Sequence, residues 1–130
     1  MVRTMVAALA VTAMAIAPMG ARPARAASVG GADTDAACYL FSSFQAVQAA
    51  KEPDKQRALI AIVGFYAARV TTTHPGAATL KTALDTAQAT LVAKRADAAF
   101  TKELIASCLD GFNHANQRIN AITSAGVKKP

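Results

Sequence analysis

The chain has 130 residues, 17% of them charged and 53% hydrophobic, with a formal net charge of +6, no tryptophan and two cysteines. That length holds one domain. The basic residues form no dense cluster and no stripe interleaved with aromatics, which argues against a nucleic-acid surface.

The N-terminus reads as a cleavable secretory signal peptide over residues 1–26. A positive zone, Met1-Val2-Arg3-Thr4, precedes an apolar run from Met5 to Met19 that is interrupted by Thr12 and Pro18. Ala24-Arg25-Ala26 offers the small residues that signal peptidase accepts, so cleavage is expected after Ala26. The run is shorter than the roughly 20 apolar residues a membrane span needs. Arg3, Arg22 and Arg25 lie in this segment and no acid does, so its removal lowers the formal charge from +6 to +3. The expected location is periplasmic or secreted, with no membrane span after cleavage.

Export implies an oxidising compartment, where paired cysteines form disulfides. Cys38 and Cys108 allow one intramolecular pairing. Closing a loop of about 70 residues contributes roughly 4 kcal/mol in the chain-entropy model. Only His74 and His114 could join the cysteines around a metal, and neither stands at C-x-x-C or H-x-x-x-H spacing, so no metal is expected. With no C-x-x-C-H, and no methionine beyond Met19, no haem or other cofactor is expected either.

Residues 27–32 read as a flexible leader. Asp33, Thr34 and Asp35 then supply the cap and first-turn acids of a first helix, whose apolar face is Ala37, Leu40, Phe41, Phe44 and Val47. Lys51-Glu52-Pro53 ends it, because the residue before proline avoids helical geometry. Pro53 suits the first turn of a second helix, with Leu59, Ile62, Val63, Tyr66 and Val70 on one face. Its run Ala58–Ala68 has no polar side chain but the Tyr66 hydroxyl, so it is expected to be the central, buried helix. Gly64 there implies close approach of a neighbour.

Residues 71–76, Thr-Thr-Thr-His-Pro-Gly, break the chain. A third helix starts near Ala77 with Leu80, Leu84, Ala87 and Leu91 inward, and Lys94-Arg95 complement its dipole. Asp97 can cap a fourth helix running to about Thr123, with Ile105, Cys108, Phe112, Ala115, Ile119 and Ile122 as its inner stripe. Whether residues 77–123 form two helices or one bent helix is left open, since the break at 94–97 has neither glycine nor proline. Ser124-Ala125-Gly126 stops it, and residues 124–130 form a basic tail. No β signal stands out. The fold class is all-α: an antiparallel four-helix bundle over residues 33–123 with one long-range disulfide.

No catalytic, cofactor-binding or metal site emerges. Asp110 and His114 stand one helical turn apart, but read best as a surface i,i+4 pair. Arg69 reads best as a rim residue covering apolar surface. The distinctive feature is the outer face of the fourth helix. Asn113, Asn116, Gln117, Asn120 and Ser124 make it polar without charge, where exposed positions are normally rich in Lys and Glu. Asparagine is a poor helix former, and side-chain amides both donate and accept, which suits a possible interaction face.

The layout over about residues 35–120, with a first-helix cysteine followed by Phe65-Tyr66-Ala67-Ala68-Arg69 in the next helix, resembles small exported two-cysteine helical proteins of bacteria. It is distantly similar to the HdeA-type acid-stress chaperones. It departs from those in a longer loop between the cysteines and in its slightly basic mature charge. The resemblance transfers no functional residue.

The expected function is non-enzymatic: a small exported protein that binds other proteins in the cell envelope, as a chaperone, inhibitor or stress factor. Two alternatives are carried with it. One is a small-molecule binder or minor enzyme using the bundle interior, for which a pocket at Tyr66 and Arg69 would speak. The other is a structural envelope component, with homo-oligomers possible.

Overall fold

The computed structural model describes residues 28–126. The signal segment, its cleavage point and residues 127–130 of the tail lie outside the described residues. Four helices follow a two-stranded hairpin: α1 Thr34–Gln48, α2 Pro53–Thr73, α3 Ala77–Ala93 and α4 Ala98–Gly126. Residues 77–126 are thus two helices, and the break needs no glycine because Asp97 makes it. Its Oδ1 accepts from Phe100 N–H at 3.0 Å, starting α4. Asp33 starts α1 in the same way, accepting from Ala36 N–H at 3.1 Å. Pro53 opens α2.

The strands β1 Ser28–Val29 and β2 Ala32–Asp33 pair antiparallel, Ser28 opposite Asp33 and Val29 opposite Ala32. A hairpin thus stands where a flexible leader without strands is expected. Gly30 and Gly31, at φ 58° and 86°, supply the two positive-φ positions of a tight hairpin turn. Val29 and Ala32 are buried in the core. A Cβ on Gly30 would come 2.7 Å from the Phe100 ring, so the turn fits against the start of α4 only as glycine.

The packing is organised around α1, which touches each of the other three helices. This corrects the expectation that α2 is central. The reason lies in side-chain size: Ala36, Ala37, Cys38, Ser42 and Ala46 are the buried positions of α1, and small side chains let neighbouring backbones come close. Phe44 and Val47, expected inward, are exposed. On α2 only Ile62, Tyr66 and Val70 are buried, while Ile60 and Gly64 face solvent. No atom outside the local backbone lies within 4 Å of a Cβ built on Gly64, so the close approach expected there is absent. Ala87 is the buried residue of α3, with Leu80, Leu84 and Leu91 packed half-buried around it.

The core is completed by Phe100, Leu104 and Cys108 from α4. The Sγ atoms of Cys38 and Cys108 are at disulfide distance, with Cα atoms 5.5 Å apart. Among the described residues, no helix is long and apolar enough to cross a membrane.

Candidate functional site

Two places gather polar chemistry. The first is where α2 closes over the beginning of α1. Asp33 uses one carboxylate oxygen to cap α1 and the other to meet His74 Nε2 at 2.8 Å. Two residues on, Asp35 pairs with Arg69 Nε at 3.0 Å. Both acids sit at the positive end of the α1 dipole, where negative charge is favourable. Arg69 comes from the last turns of α2, and His74 is its C-cap. The arrangement is a clasp between two antiparallel helices.

Tyr66 lies behind the clasp. Its side chain is 2% exposed, and its hydroxyl donates to the Cys108 carbonyl at 2.6 Å. Burial, reinforced by the negative charge of Asp35, pushes its phenol up to about 12, so it stays protonated and keeps donating. The contact exists because position 111 is glycine: a Cβ there would stand 2.7 Å from the Tyr66 oxygen. Phe65 stacks edge-on against both Tyr66 and Phe112, with ring centroids 4.9 and 5.5 Å apart. Arg69 lies 5.5 Å over the Phe65 ring while holding Asp35. Tyr66 is therefore committed to α4 and Arg69 to α1. The reading of Arg69 as a rim residue covering apolar surface agrees with this placement, with an ion pair added. Gly111 went unremarked in the sequence, where a glycine in mid-helix carries no sign of its partner.

The His74–Asp33 pair has the geometry that orients an imidazole. It lines a shallow groove of about 450 Å³ beside Thr79, Thr82 and Thr86. Thr79 and Thr82 turn their hydroxyls onto the Gly76 and Ala78 carbonyls at 2.9 and 3.0 Å. Asp110 and His114 are both exposed, and no hydrogen bond joins them among the described residues. No group of three or more His, Cys, Asp or Glu residues could hold a metal among the described residues.

The second place is α4 beyond Phe112. Asn113, Asn116, Gln117, Asn120 and Ser124 are all exposed, as the sequence led one to expect. The opposite stripe does not go inward as expected. Ile119 is 60% and Ile122 72% exposed, and only Ala115 is half-buried. The cause is length. α4 has 29 residues against 15 in α1, and at 1.5 Å per residue it outruns the helix it packs on. The apolar stripe keeps its helical spacing after the body has ended.

The fold and these contacts define a four-helix domain with one cysteine pair at disulfide distance and an amphipathic, largely exposed second half of α4. No protein-family model, no curated protein and no solved structure matches the chain.

Proposed function

We propose that this is an exported, non-enzymatic protein that binds other proteins in the cell envelope, as a chaperone, inhibitor or stress factor, and that the arm of α4 is what it binds with. The observation that carries this reading is the exposure of Ile119 and Ile122 on a helix whose other side is a row of uncharged amides. An amphipathic helix with apolar residues three and four apart is suited to lie in a partner's hydrophobic groove. The amides rim that contact without the desolvation cost of charge. Burial of Tyr66 and its bond to Cys108 speak against a ligand site in the bundle interior. The short connections 49–52, 74–76 and 94–97 support an antiparallel bundle as the platform. The disulfide-distance pair is compatible with export, as is the absence of a membrane-spanning helix among the described residues.

The test is site-specific photocrosslinking in cells. A photoreactive residue at Asn116 is expected to give a discrete protein adduct, and one at Ile60, exposed on α2, is expected to give none. Adducts from Ile60 alone, or from neither position, would overturn the assignment.

A further inference from the structure

A second surface lies away from the arm, in a groove between the C-terminal halves of α1 and α3 and the first turns of α4. Leu40, Phe41 and Phe44 form one wall, Leu91 and Val92 the other, and Phe100 and Leu104 the floor. Its volume is about 690 Å³, within the roughly 300–1,000 Å³ typical of small-molecule sites. Phe44 and Val92 are each 60% exposed, so the apolar walls stand open to solvent. At one end are Lys94 and Arg95, and no acid lines the groove. Neither cation makes an ion pair among the described residues. Arg69, by contrast, is paired with Asp35. The stem of Lys94 is held in place, with Nζ 5.4 Å over the Phe100 ring.

We propose that this groove binds a single-chain amphiphile with a carboxylate head, a free fatty acid, with the acyl chain along Leu40, Phe44 and Leu91 and the head at Lys94 and Arg95. Charge complementarity selects the head: an apolar channel ending in two adjacent unpaired cations attracts an anion and leaves a neutral or cationic head without a partner. A guanidinium also matches a carboxylate in a two-point hydrogen bond. The channel is concave and bounded by three helices, which suits one extended chain better than a flat lipid surface. The groove is independent of the arm, so each assignment stands or falls alone.

The test uses sodium decanoate below its critical micelle concentration, added to the purified protein and followed by amide and methyl NMR shifts. Saturable shifts confined to groove residues, among them Leu40, Leu91 and Leu104, are expected. Decanol should bind more weakly, and added salt should weaken decanoate but not decanol. The double variant Lys94→Gln, Arg95→Gln should lose about tenfold in affinity for decanoate and none for decanol. Phe44→Asp, at an exposed position, should lose both ligands while the helical signal and Tm hold. Four results would overturn the proposal: no saturable shift with decanoate, equal affinity in the double variant, groove shifts that follow protein concentration instead of ligand, or binding only to anionic vesicles and not to the free acid.

Discussion

The two halves of α4 have the same kind of sequence and opposite fates. From Ala98 to Phe112 an apolar residue faces the body at nearly every turn: Phe100 and Leu104 are buried, Cys108 meets Cys38, and Phe112 stacks on Phe65. From Asn113 to Gly126 the apolar stripe continues through Ile119 and Ile122, which are 60% and 72% exposed. An amphipathic pattern states that a helix has an apolar face. It does not state that the same chain covers it. Coverage depends on the length of the partner helix, and α1 is about half as long.

The sharpest way to break the welded half is at its bond to α1. Reducing the disulfide, or replacing Cys38 and Cys108 with serine, should cost about 2–5 kcal/mol of stability and lower Tm markedly. Thermal unfolding with and without reductant measures this. A change near zero would mean that Phe100 and Leu104 hold the half unaided.

The next effect is pH. The folded state keeps the Tyr66 phenol at about 12, above its usual 10.0. A raised value in the folded state means that this contribution is complete below pH 10 and is lost as pH climbs towards 12. The wild type should therefore lose roughly 1–3 kcal/mol across that window beyond what Tyr66→Phe loses. Parallel Tm profiles for the two proteins would contradict the buried donor.

Smaller effects separate two glycines that look alike in sequence. Gly111→Ala pushes a Cβ into the Tyr66 hydroxyl, and the strain and weakened hydrogen bond should outweigh the helix-propensity gain for a net loss of about 1 kcal/mol. Gly64→Ala meets nothing and should stabilise by about 0.5–1 kcal/mol. Denaturant midpoints compare them, and a shared sign would erase the distinction.

Much of the local structure was legible in the sequence. Asp33, Pro53 and Asp97 mark helix starts through chemistry confined to a few residues, and the cysteine pair had one possible solution. What was not legible is which faces meet. The α2 run Ala58–Ala68 looked central because it is apolar all round, yet α1 took that place through Ala36 and Ala37, whose small size is silent in an apolar pattern. Gly30-Gly31 carried the hairpin signal, but strands of two residues are too short to show alternation. On α4, periodicity separated an apolar stripe from a polar one, but Ile105, Ile119 and Ile122, expected inward, are exposed; what covers the stripe, and where the body ends, was invisible. The amide face Asn113, Asn116, Gln117, Asn120 and Ser124 stood out in the sequence; the exposed isoleucines behind it needed the fold.

The central claim is that the bare half of α4 is a binding arm. Its most direct test is Ile119→Ser with Ile122→Ser, comparing capture of the crosslinked partner and Tm against the wild type. Both residues lie outside the packed body, so Tm should stay within a degree or two, consistent with the small effect of surface substitutions of roughly ±0.5 kcal/mol. Capture should fall at least tenfold, as expected when two central apolar anchors are lost. Undiminished capture at unchanged Tm would contradict the account.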